Sequence, residues 1–228
     1  MKNVLLAAFL ALLLAGCRTV YFAEPELVPM GDAVPSDVVQ AFARQLPVRF
    51  ETQDTLTFKF LWKKMAVLGM TSVDYPAGTF EILSMNHVGV PLFSIGGDRS
   101  GHRLRFALPE FRKHPEITDA VGVDVRRIYF DRVPSPSAEP EALPDQIVFR
   151  ESLGQDEALE HVFGGEGALL LEKRDLKDGK LVWRVNYYEY ARSGDYLYPR
   201  GIVYHNRANR YRLIIRVRGI LPEGESKP

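Results

Sequence analysis

Apolar and polar residues alternate over much of this chain. Leu56, Phe58, Phe60 and Trp62 are interleaved with Thr55, Thr57, Lys59, Leu61 and Lys63. A period of two with one aromatic face predicts a half-buried strand. Short strands are predicted over 79–86, 91–96 and 102–107, separated by turn residues at Tyr75–Gly78, His87–Gly89 and Gly96–Asp98. That spacing predicts an antiparallel meander.

The period changes to a helical one twice. Ser36 stands as an N-cap before Val39, Phe42, Ala43 and Leu46, and Pro47 ends that helix. Ile117, Ala120, Val121, Asp124, Val125 and Ile128 form one stripe of a second helix, with Pro115 in its first turn. Val133 to Pro144 has prolines at 134, 136, 140 and 144 and is predicted as a loop. A strand over 146–153 and a short helix over 156–163, closed by Gly164-Gly165, follow. Residues 168–174 and 180–191 flank a hairpin turn at Lys177–Lys180, and 198–205 and 209–218 form the last pair. In that last strand Tyr211, Leu213, Ile215 and Val217 share one face. Arg210, Arg212, Arg216 and Arg218 share the other, which only Ile214 interrupts. The order helix, meander, helix, meander predicts one α+β domain over 36–222, with a short tail over 223–228.

Charge adds exclusions. Lys plus Arg and Asp plus Glu are 29 each, and there is no basic tail, so nothing here points to nucleic acid. A single cysteine leaves no disulfide framework and no cysteine-rich zinc site. The histidines, His87, His102, His114, His161 and His205, have no metal-motif spacing and are expected at the surface or in loops. Gly97–Gly101 is a hairpin turn and not a nucleophile elbow, because its serine stands one place late. Gly164–Gly167 lacks the lysine of a phosphate loop. No carboxylate pair stands out as an acid–base couple. The expectation is a protein that is not an enzyme and needs no cofactor.

The N-terminus reads as an address. Lys2 precedes the uncharged run Val4–Leu14, which is too short for a bilayer span of about 20 residues and fits a secretory signal over 1–16. Leu14-Ala15-Gly16-Cys17 resembles the lipobox of bacterial lipoproteins. That resemblance implies cleavage before Cys17, acylation of Cys17, and a proline-rich tether over 17–35. Two or more acyl chains give stable anchoring. Arg18, where an aspartate would signal inner-membrane retention, implies the outer membrane, facing the periplasm. The mature chain would hold 28 basic and 29 acidic residues, a net charge of −1.

The whole arrangement resembles the LolA/LolB-type lipoprotein carriers. Met65–Gly69 is similar to an apolar loop of that family. Met85–Ile95 resembles its glycine, apolar pair and short strand, and Tyr198–Ile215 its closing strands. The helix and proline-rich loop at 134–144 also resemble uncharacterised outer-membrane lipoproteins found near aryl-polyene biosynthesis genes. The resemblance implies a curved antiparallel sheet forming an incomplete barrel, with helices over its concave face and an apolar cavity for acyl chains. Phe58, Phe60, Trp62, Phe80, Ile82, Leu104, Phe106, Trp183, Val185, Tyr187, Leu213 and Ile215 would line that cavity. Leu68 would be an exposed tip touching membrane or cargo. The partners implied are a lipid or acyl chain and the membrane. The alternative is an assembly lipoprotein with a filled core, docked on an envelope protein through its arginine-bearing sheet face. A cavity of several hundred cubic ångströms would favour the carrier.

Overall fold

The computed structural model describes residues 20–60 and 63–222. The signal segment, Cys17, Trp62 and the tail lie outside the described residues. Twelve strands form one open antiparallel sheet: β1 Arg49–Phe60, β2 Lys63–Asp74, β3 Thr79–Met85, β4 Pro91–Asp98, β5 His102–Ala107, β6 Glu139–Ala142, β7 Gln146–Gly154, β8 Glu157–Gly164, β9 Leu169–Lys177, β10 Lys180–Ser193, β11 Tyr196–Asn206 and β12 Tyr211–Pro222. The order is β5-β4-β3-β2-β1-β12-β11-β10-β9-β8-β7-β6. Two meanders are thus joined by pairing β1 to β12, with Phe58 opposite Leu213 and Leu56 opposite Ile215. Bulges at Gln53/Asp54 and Ser94/Ile95 interrupt the register, a device that bends strands.

Topology places the helices. β5 and β6 are opposite edges of the sheet, so the chain between them has to traverse one of its faces. It does so as α2 Pro109–Arg112 and α3 Pro115–Tyr129, both opening on proline; α1 Pro35–Arg44 precedes the sheet. Val125, Ile128 and Tyr129 of α3 share a core with Phe80, Ile82, Phe93, Ile95, Ile202 and Ile215. The C-terminal end of α3 is also hydrogen-bonded to the sheet. The Tyr187 hydroxyl donates to the Ile128 carbonyl at 2.7 Å, and Lys173 Nζ to that of Phe130 at 2.5 Å.

Several expectations need correction. Residues 157–164 are strand β8, not a helix: both neighbours, β7 and β9, bond to it. Its apolar residues Ala158, Leu159, Val162 and Phe163 only mimic helical spacing. The proline-rich loop holds a short edge strand, β6. Ser36 lies inside α1, whose N-cap is Val34. His161 is buried in β8, where its Nε2 donates to the Asp131 carbonyl at 2.7 Å, and burial lowers its pKa to about 4. Residues 20–24 are not free tether. Phe22 is 4% exposed on the outer face of the sheet, against Val203 and Ile214, and it stacks on Tyr188. The Arg216 guanidinium lies 4.6 Å from the Phe22 ring, and Lys59 Nζ donates to the Tyr21 hydroxyl at 2.7 Å. Ile214 breaks the arginine face because Phe22 covers it.

Candidate functional site

A narrow apolar cleft lies between α3 and the inner face of the sheet. Leu56, Phe58, Met65, Val67, Leu213 and Ile215 form one wall, where β2, β1 and β12 run side by side. Ile117, Val121, Val125 and Ile128 of α3 form the other, with Ile82, Phe93 and Tyr129 towards the buried end. Met65, 37% exposed, marks the open end. The free volume is about 60 Å³, room for a few water-sized groups. Among the described residues, the free volume of this cleft is below the several hundred cubic ångströms that would favour a carrier.

Packing along α3 is graded. Val125, Ile128 and Tyr129 are buried, whereas Ile117 and Val121 are half-buried. The C-terminal end of the helix is fixed in the core, whereas its N-terminal half turns Ile117 and Val121 to the cleft and is held to β5 by Gly122 against the His102 ring and by Asp119, 3.2 Å from His102 Nε2.

Two carboxylates are buried near these apolar walls. Asp124 lines the cleft from the apolar stripe of α3. Its Oδ2 accepts from the Tyr211 hydroxyl at 2.5 Å, and its Oδ1 is buried without a partner. Asn206 Nδ2 joins Tyr211 to Tyr204, whose hydroxyl accepts from Arg127 at 2.8 Å. Burial raises the Asp124 pKa to about 7, against the opposing pull of Tyr211, Tyr204 and Arg127. Asp54 sits beneath Thr71. The hydroxyls of Thr52 and Thr71 donate to its Oδ2 at 2.8 and 3.3 Å. Burial raises its pKa to about 7 as well.

Among the described residues no three His, Cys, Asp or Glu side chains converge as metal ligands. No described helix is long and apolar enough to cross a membrane. No protein-family model matches the chain, and no curated protein sequence matches it. Solved structures do. A LolA superfamily protein from Nitrosomonas europaea is similar at a TM-score of 0.54 and 7% identity, over 86% of this chain and 96% of that one. The chain has the LolA-like fold. A DUF1329 family protein from Desulfovibrio piger is similar at a TM-score of 0.49 and 8% identity, over 84% of this chain and 94% of that one. An outer membrane lipoprotein-sorting protein domain from Vibrio parahaemolyticus reaches 0.47 and 8%, over 84% and 93%.

Within this LolA-like fold the expected cavity residues separate into three groups. Phe58, Ile82, Leu213 and Ile215 line the cleft. Phe80, Trp183, Val185 and Tyr187 are buried in the core and not on the cleft, because the C-terminal half of α3 and its neighbours close over them. Phe60, Leu104 and Phe106 are 41, 40 and 39% exposed. Leu104 and Phe106 stand on edge strand β5, and Phe60 at the end of β1. Leu68 is no loop tip. It lies mid-strand in β2, half-buried, between Thr55 and Met85. The residues missed on the sheet are Leu56, Met65 and Val67, which β1–β2 pairing places beside Phe58. Asp124 was visible as a carboxylate on an apolar helical stripe, the signal that marks it in the sequence.

Proposed function

We propose that this protein is a periplasmic lipoprotein, anchored in the outer membrane, that binds or transfers an acyl chain of a lipid or lipoprotein and catalyses no reaction. The observation that carries this reading is the cleft: aliphatic and aromatic side chains from two facing elements, with Asp124 as its charged member. Fold alone does not define cargo, so the site has to carry the argument.

The narrowness of the cleft sets the mechanism. A chain enters when the N-terminal half of α3 lifts as a lid, pivoting on its fixed C-terminal end. Opening exposes Ile117 and Val121, and the incoming chain covers that surface again. A dozen buried methylenes contribute at most about 10 kcal/mol, at about 0.8 kcal/mol each. Displacing the half-buried Ile117 and Val121, each worth about 1.5–3 kcal/mol when fully buried, leaves a margin for uncovering Thr118 and parting Asp119 and Gly122 from β5.

Anchoring follows from Cys17. Val20 precedes the pinned Tyr21-Phe22 pair on the outer face of β11 and β12, and three residues span about 10 Å. An acylated Cys17 would hold that face against the membrane, with exposed Arg216 and Arg218 towards the lipid head groups.

Every described helix and strand begins at residue 35 or later, so the chain from residue 18 contains the whole folded body. Native mass spectrometry of that chain, purified from a bacterial periplasm, is expected to show bound acyl-chain species. An adduct-free protein that also fails to brighten N-phenyl-1-naphthylamine would overturn the reading. That result would favour the assembly lipoprotein with a filled interior, which the small free volume also fits.

A further inference from the structure

An acyl cavity gains nothing from a buried carboxylate unless the cargo answers it. Asp124 stands on the wall of the cleft, on the same helical face as Val121, Val125 and Ile128. One oxygen is engaged by Tyr211, and the other is buried with no partner. An unpaired buried acceptor is destabilising, and an apolar residue at this position would avoid that cost. From this geometry we infer that Asp124 is a specificity residue: the cleft takes a single-chain amphiphile whose polar group donates a hydrogen bond and bears no negative charge. This inference rests on the cavity reading above and deepens it.

The surroundings support the assignment. The groups facing Asp124 are Tyr211 of β12, Tyr204 of β11 and, on its own helix, Arg127. Arg127 is committed elsewhere: it donates to the Tyr204 hydroxyl and lies 5.2 Å from the Trp183 ring. The Tyr211 hydroxyl holds Oδ2; the Tyr204 hydroxyl, which accepts from Arg127 and Asn206, also faces the carboxylate but makes no hydrogen bond of good geometry to Oδ1, the oxygen a donor on the ligand would take. An ammonium, hydroxyl or amide N–H supplies that donor. A fatty-acid carboxylate supplies only repulsion. Burial holds the Asp124 carboxyl up towards neutrality, so the discrimination grows as pH rises and the carboxylate forms.

Three probes of one chain length separate charge from hydrogen bonding: dodecylammonium, dodecyltrimethylammonium and laurate. Each is titrated at pH 8, below its micellar concentration, against N-phenyl-1-naphthylamine bound to the chain from residue 18. Dodecylammonium is expected to displace the dye at least tenfold more tightly than either other probe, and Asp124→Asn to bring all three within threefold. Equal affinities in the wild-type protein would overturn the inference and leave the cavity reading standing. An unchanged order in Asp124→Asn would do the same, showing that Asp124 only fastens α3 to β12. Failure of all three probes to bind would overturn the cavity reading itself. Should Asp124→Asn not fold, Tyr211→Phe decides: it frees the second carboxylate oxygen, and a lost preference there counts against the assignment.

Discussion

At the scale of single residues, buried ionisable groups with opposed shifts set how stability responds to pH. Asp54 and Asp124 carry pKa values raised by burial to about 7, against roughly 3.9 for an unfolded aspartate. Between those values the folded chain keeps protons that the unfolded chain releases. Their contribution is therefore fully present below about pH 4 and is lost as pH rises to about 7. Lys173 behaves in the opposite sense. Burial lowers its pKa to about 7, so above pH 7 the unfolded chain binds the extra proton and stability recovers with pH. His161, whose pKa burial lowers to about 4, opposes the aspartates: between about pH 4 and 6.5 the unfolded chain binds its proton, so stability gained there offsets part of their loss. Asp54→Asn should remove part of the falling limb, gaining about 1–3 kcal/mol relative to wild type between pH 5 and pH 8. Urea midpoints at the two pH values check it. An equal difference between variant and wild type at both would show that Asp54 does not titrate in that window.

At the scale of elements, the N-terminal strap and helix α3 matter most. The strap depends on Gly201, where any Cβ would overlap the Phe22 ring. Further bonds hold it: the Ala23 amide to Glu189 Oε1 at 3.1 Å, and Arg216 to the Tyr21 carbonyl at 3.1 Å. Gly201→Val should evict Phe22 and release residues 20–24 while the sheet stays folded. Hydrogen exchange is expected to speed up at least tenfold at Ala23 and to stay unchanged in β1 and β12. Unchanged protection at Ala23 would mean that Phe22 does not hold the strap. How far these elements were legible depends on what each signal measures. The stripe from Ile117 to Ile128 predicted α3 correctly, Asp124 included, because a 3.6-residue period is a property of one helix. The strand alternation at Phe58, Leu213 and Ile215 likewise gave the inner face. Alternation does not tell which part of that face a helix covers, which only the β5-to-β6 crossing decides. Trp183 and Tyr187 therefore fell in the packed core, and Leu104 on an exposed edge. The strap is not legible in the sequence because its partners, Val203 and Ile214, stand 181 and 192 residues from Phe22.

At the scale of the whole molecule, two faces of one sheet do different work. The outer face of β11 and β12 receives the chain leading back to Cys17, and the inner face carries the cleft on the opposite side. In the proposed account the anchor and the cargo site are thus separated by the thickness of the sheet, leaving α3 free to open away from the membrane. The most direct measurement locates a bound chain. In the chain from residue 18, isotope-edited NMR with dodecylammonium is expected to give contacts from the methylenes to the methyl groups of Val67, Val121, Val125 and Leu213. Contacts confined to Val203 and Ile214 on the outer face, or none at all, would contradict the account.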